Sequence, residues 1–273
     1  FFKQKTAYEI STRDWSSDVC SSDLSSVFKL VPDVSLNTEF TYAQSKQDVV
    51  GSNTYGTAPE KTRSYSARAG LVAQTGLGLI TNDNYFNRTS DVLLSNGGYS
   101  DLYTNLFVSN LNDQFRIGAN HVFRVGAEYR HKGFEFANNG MQSGSENIVA
   151  ENSVAVNGTW LWQITDNLAL TNAVREDRLQ MQNTGTLPTV SLWNGADYSH
   201  IVYATTLNSG VSYKATDDDT LRLTYGRGVQ LPSLLQTGLN LYLPFNGYSV
   251  EGNPHLKPTV TQNYEIEIGR AHV

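Results

Sequence analysis

The chain has 273 residues, with 20 Lys plus Arg against 26 Asp plus Glu and a net charge of −6, a balance that argues against a nucleic-acid binder. Apart from Cys20 it has no thiol, which fits export through an oxidising compartment. No run of about 18 apolar residues occurs, which excludes a transmembrane helix but not a membrane β-barrel, whose alternating strands escape hydropathy plots.

Residues 14–24 show no hydrophobic period. Asp14–Leu24 (DWSSDVCSSDL) reads as the translation of a widely used sequencing adapter, and Phe1–Ile10 as its companion oligonucleotide. At the other end, Ile268–Val273 (IGRAHV) reads as the same adapter on the opposite strand. Residues 1–24 and 268–273 are therefore expected to be non-native, disordered tails, with no function in Trp15 or Cys20. Residues 25–267 are expected to be a fragment of a longer protein.

Within that segment, period-two stretches rich in Tyr, Val, Thr and Leu recur and helical periodicity is nearly absent, so the fold class is all-β. About ten strands are predicted, at 33–45, 62–75, 78–88, 100–117, 122–136, 148–164, 168–180, 200–215, 219–230 and 259–267. Tight turns fall at Gly118-Ala119-Asn120, Asp166-Asn167 and Asp217-Asp218-Asp219. Long polar loops are expected between them, at about 46–61, 89–99, 137–147, 181–199 and 231–258. Alternating short and long connections suit an outer-membrane barrel, with short periplasmic turns and long extracellular loops.

Individual strands carry the same pattern. In VFRVGAEYRHK, Phe123, Val125, Ala127 and Tyr129 alternate with Arg124, Glu128, Arg130 and Lys132, an oily face opposite a wet one. Tyr203 and Tyr213 stand ten residues apart, about 33 Å along a strand and about 25 Å in height at a tilt near 40°. That is the height of the apolar band. Trp160 and Trp162 share a face near a predicted periplasmic end, as interfacial anchors do. A soluble half-buried sheet is the alternative.

Two motifs sharpen the reading. Tyr225-Gly226-Arg227-Gly228 with Pro232 ends one strand, and Gly252-Asn253-Pro254 with Leu256-Lys257-Pro258 leads into the next. In order and spacing they resemble the barrel of a TonB-dependent outer-membrane receptor, departing from its usual pattern at Val229 and Thr259. Each motif also has a structural reading: small inward positions at Gly226 and Gly228, and donor-free, stiff chain at Pro254 and Pro258.

The resemblance implies a partial antiparallel transmembrane β-barrel, about ten of 22 strands, open or incompletely closed. It implies an outer-membrane receptor of a Gram-negative bacterium that imports a scarce nutrient such as a ferric siderophore or cobalamin. Its partners would be that ligand, outer-membrane lipid, and the TonB energy-coupling complex acting through a plug domain absent from this chain. A passive porin or adhesin-type barrel and, further off, an outer-membrane hydrolase are the alternatives.

No catalytic or metal constellation stands out, because His121, His131, His200 and His255 suit neither a zinc site nor a triad. Neither an enzyme nor a cofactor site is expected. Ligand contact is expected from aromatic residues of the long loops, Trp193, Tyr198, Tyr242, Phe245 and Tyr248, and from the inward cations Arg124 and Arg130. The competing reading has the loop aromatics packing on one another. An isolated piece of barrel is also expected to leave Val34–Tyr42 and Val260–Ile266 as unpaired edges.

Overall fold

A computed structural model of the chain describes residues 17–50, 57–95, 98–138, 147–187, 191–243 and 247–270. Its strands are β1 (Ser17–Val31), β2 (Val34–Val50), β3 (Thr57–Gln74), β4 (Leu79–Ser95), β5 (Gly98–Ile117), β6 (His121–Asn138), β7 (Asn147–Thr165), β8 (Leu168–Asn183), β9 (Ile201–Lys214) and β10 (Asp219–Gln230). A short helix α1 (Leu234–Gly238), a hairpin β11 (Asn240–Leu243) and β12 (Tyr248–Glu251), and strand β13 (Thr259–Arg270) follow. Eleven strands form one antiparallel sheet in the order β1 to β10 and then β13, with β11–β12 a separate two-stranded piece.

The sheet is open, and its edges are β1 and β13. Val260–Ile266 lies on the expected edge. Val34–Tyr42 does not, because β2 pairs along its length with β1, Phe40 standing opposite Leu24 and Leu36 opposite Phe28. Ser17–Leu24, expected in a disordered tail, therefore continue a strand. On the outer row of β1, Phe28 and Leu24 give way to Ser22 and Cys20, so the apolar rhythm stops at the last residue of the expected tail.

Cross-strand register fixes which side chains share a face. One row runs Asp83, Asn110, Glu128, Ala155, Asp177, and the next row runs Asn82, Leu111, Ala127, Val156, Glu176. A trough of about 800 Å³ touches residues from β1 to β8, among them Glu39, Asp83, Asn110 and Arg124. One cavity can reach so many neighbouring strands only where the sheet curls around it, so the Asp83–Glu128 row faces inward. The opposite face carries exposed Leu111, Val125, Val156, Val174, Leu207 and Leu223.

The connections at 32–33, 75–78, 118–120, 166–167 and 215–218 all fall at one end of the sheet. Gly118, in the β5–β6 turn, has φ 65°, a conformation in which a side chain is strained. Above that end the outer face carries stacked rings: Phe123 lies 6.1 Å from Trp160 at an interplanar angle of 1°, and Trp160 lies 5.4 Å from Trp162. Trp160 Nε1 donates to His121 Nδ1 at 3.1 Å. Amphipathic rings with a satisfied donor suit a membrane–water boundary.

At the other end the strands run farther than expected. The β4–β5 connection shrinks to residues 96–97 and the β2–β3 connection to 51–56. The 20 residues of β5 span about 66 Å, or about 50 Å in height at a 40° tilt, twice the apolar band. Outside lipid both faces of a strand are wet, so the period-two signal fades while the backbone ladder continues. The 231–258 segment, expected as plain loop, holds α1, whose Ser233 accepts from the Gln236 N–H while Gln236 caps the Ser233 N–H, a reciprocal cap.

Candidate ligand pathway

Charges on the inner wall pair along and across strands. Arg175 donates to Asp177 at 2.7 Å and to Glu128 at 2.9 Å, and Glu128 also takes Arg130 at 3.1 Å. Lys132 meets the nearly buried Glu151 at 2.8 Å, and farther round the wall Arg68 meets Asp83 at 2.7 Å. Below this charged belt the wall is lined by amides: Asn112 and Asn157 fold across Gly126, filling the space a Cβ would take. Arg124 borders the same trough and makes no ion pair among the described residues. Among the described residues that line the trough, the wall thus offers neutral amides, paired ions and Arg124 as a cation available to an anion.

Over the upper inner wall sits a cap. Val149 and Met181 are inward residues of β7 and β8, and Tyr198 packs on them with no exposed surface. Leu187, Trp193 and Leu234 close around this core. Two segments distant in sequence are tied together here. Trp193 Nε1 donates to the Gly252 carbonyl at 2.8 Å, the Leu192 N–H to Glu251 at 3.0 Å, and Asn240 Nδ2 to Ser191 Oγ at 3.0 Å.

The Gly-Asn-Pro motif finds its reason in the cap. The Gly252 N–H donates to the Leu239 carbonyl at 2.7 Å and the Asn253 N–H to the Gln236 carbonyl at 2.8 Å. A Cβ on Gly252 would stand 2.7 Å from that Gln236 oxygen, so only glycine admits the close approach. Pro254 is fully buried. Gly238 touches Val149 in the same way, its Cβ position lying 2.7 Å from Val149 Cγ1.

A polar contact closes the rim. His255 Nε2 meets Asp197 Oδ1 at 3.1 Å, and the His200 ring stacks 6.0 Å from His255. The Asn194 N–H, and after it His255, hold the Asp197 carboxyl below its ordinary range. Burial pushes the Tyr198 hydroxyl up. That hydroxyl faces Asn240 without reaching hydrogen-bond geometry.

The expected ligand residues thus take different places. Arg124 and Arg130 lie on the inner wall, and Tyr248 is 67% exposed on the hairpin of the cap. Trp193 is half-buried and Tyr198 wholly buried, and both pack in the core under the cap. Tyr242 lies in β11, and Phe245 falls outside the described residues. Sequence reasoning passed over Glu251, Asn240 and Gly238, which fasten the cap; Ser233-Leu234-Leu235-Gln236 after Pro232 was the readable signal for its helix. Among the described residues no cluster of three or more His, Cys, Asp or Glu is arranged to hold a metal ion.

A sheet oily outside, wet and ion-paired inside, with short turns at one end and a folded cap at the other, is the wall of an outer-membrane β-barrel. The TonB-dependent receptor-like β-barrel family model matches residues 6–268, and the chain belongs to that family. Membership places it in the outer membrane of a Gram-negative bacterium. No curated protein sequence matches.

Among solved structures, the copper transporter OprC is similar with a TM-score of 0.77 at 12% identity, over 94% of this chain and 43% of that one. The alcaligin outer-membrane receptor FauA from Bordetella pertussis gives 0.70 at 13%, over 94% and 41%. The ferric-catecholate import receptor Fiu from E. coli K12 gives 0.68 at 13%, over 94% and 49%. The chain spans less than half the length of these relatives.

Proposed function

We propose that this chain is part of the wall and mouth of an active importer that captures a scarce nutrient, such as a ferric siderophore or cobalamin, and passes it down a wet inner face. The observation that carries the reading is the pairing of that inner face with a rigid cap. Glu128, Arg130, Arg175 and Asp177 line the route with ions that satisfy one another, so a polar solute meets no uncompensated desolvated charge on its way. Arg124 offers a deeper attraction for an anionic cargo.

Capture falls to the outward surface of the cap. Leu192 and Tyr248 are 82% and 67% exposed, and the sequence adds Tyr242 and Phe245 to the proposed capture residues. Trp193 and Tyr198 act behind them as the frame. Energy coupling through TonB and a plug domain completes the mechanism in the intact receptor.

The test uses cells expressing that receptor and a radiolabelled panel of ferric siderophores and cobalamin. Accumulation above the external concentration, abolished by an uncoupler that leaves surface binding intact, is the expected result. Uptake that only equilibrates, indifferent to the uncoupler, would identify a passive pore.

A further inference from the structure

On the outer face, rings of five consecutive strands form a rising belt on the long-connection side: Tyr42, Tyr65, Phe86, Phe107 and Tyr129. Tyr65 and Phe86 are 6.1 Å apart, and Phe107 and Tyr129 6.2 Å. Directly beyond this belt on β2, β3 and β4, register places Lys46 opposite Lys61, Arg63 opposite Gln44, and Arg88 opposite Tyr65. Lys46, Arg63 and Arg88 are exposed and Lys61 is half-buried. The Arg88 guanidinium lies 5.6 Å from the centre of the Tyr103 ring. Asp48 and Asp101 share the face, but neither forms an ion pair with these cations among the described residues.

Two lysines directly opposite one another destabilise a sheet by roughly 0.2–1 kcal/mol, and Arg63 adds a third like charge two residues away. This arrangement becomes favourable when an anion bridges it. Its height suggests which anion. Arg63 and Lys61 lie two and four residues beyond Tyr65, about 7 and 13 Å along the strand or about 5 and 10 Å in height at the barrel tilt. The polar region on each side of a bilayer is about 5–8 Å deep, which puts Arg63 within it and Lys61 just past its outer margin, within reach of a flexible side chain. Below the cations, Phe40, Phe86 and Tyr65 offer apolar surface at the depth of acyl chains.

We infer that Lys46, Lys61, Arg63 and Arg88 form a binding surface for the phosphate groups of the phosphorylated, acylated glycolipid of the outer leaflet. The ammonium and guanidinium groups take the phosphates and the aromatic belt takes the upper acyl chain, joining electrostatic and apolar contact as a lipid-facing basic patch does. The inference rests on the membrane placement of the outer face and is independent of which nutrient is imported.

The experiment uses the intact receptor, purified in detergent and stripped of lipid, titrated by native mass spectrometry with bisphosphorylated lipid A, its dephosphorylated counterpart and inorganic phosphate. Wild type is expected to bind the bisphosphorylated glycolipid, and K46E/K61E/R63E to weaken that binding at least about tenfold, with Lys214→Glu at the opposite rim leaving it unchanged. Heat-modifiable migration confirms that each variant is folded; should the reversal prevent folding, K46Q/K61Q/R63Q is expected to show a smaller loss in the same direction. Equal affinity of wild type and the variants overturns the inference. So does equal binding of the dephosphorylated glycolipid, which would mean apolar contact alone, or inorganic phosphate binding as tightly as the glycolipid, which would mean a free-anion site.

Discussion

Replacing Tyr198 by Ala tests whether the cap is held by burial on the inner wall. Tyr198 exposes none of its surface and packs on Val149 and Met181. Truncating a buried aromatic side chain to Ala costs about 3–5 kcal/mol. The loss falls on the cap rather than on the sheet, because Val149 and Met181 are also held by the β7–β8 ladder, whereas residues 191–200 and α1 rest on this packing. At about 1.4 kcal/mol per decade, local opening should rise by about two to three and a half orders of magnitude. Hydrogen exchange of the intact receptor reads this at the Leu192 N–H, which donates to Glu251. Tyr198→Phe separates ring from hydroxyl: with no hydrogen bond to lose, it should change exchange by less than about tenfold. If Tyr198→Ala leaves the Leu192 amide within about threefold of wild type, burial does not fasten the cap and the reasoning fails.

Gly252→Ala forces a Cβ against backbone of α1 that cannot swing aside, so about 1–3 kcal/mol of cap stability is lost and proteolysis within 231–258 accelerates. Gly158, with open space at its Cβ position, accepts Ala without effect in the same assay. For the rim contact, a folded-state value of Asp197 below its ordinary 3.8 means stabilisation present above that value and lost as pH falls through the depressed one. After correction for intrinsic rates, protection of the Asn194 amide should therefore hold from about pH 7 to about pH 4 and drop below; loss between about pH 7 and 5 would assign control to another group. The isolated chain, with β1 and β13 each paired on one side only, should neither insert into lipid nor show heat-modifiable migration in detergent.

The sheet was legible because lipid on one side and water on the other force strict alternation, as in Phe123–Lys132, where every inward charge was assigned to the face it occupies. The strand ends were less legible for the converse reason: beyond the aromatic belt both faces are wet, and stretches such as Asn87–Ser95 lose their period. β1 was hidden because Ser17–Leu24 has no apolar rhythm, and backbone pairing with β2 needs none. At the mouth, the sequence marks Trp193 and Tyr198 as unusual loop aromatics but does not show that they turn inward. That depends on contacts between segments some 40–60 residues apart, such as Trp193 to Gly252 and Asn240 to Ser191, which no local pattern encodes. The motif glycine at 252 was visible in the sequence, but the approach of the Gln236 carbonyl that requires it was not.

The central claim, an oily outer and a wet inner face on one wall, is tested most directly by single spin labels along β6 in the intact receptor reconstituted into bilayers. Labels at Val125, Ala127 and Tyr129 should be relaxed by membrane-dissolved oxygen, and labels at Arg124, Glu128 and Arg130 by a water-soluble nickel complex, alternating residue by residue. Alternation of the opposite phase, or none, would contradict the account.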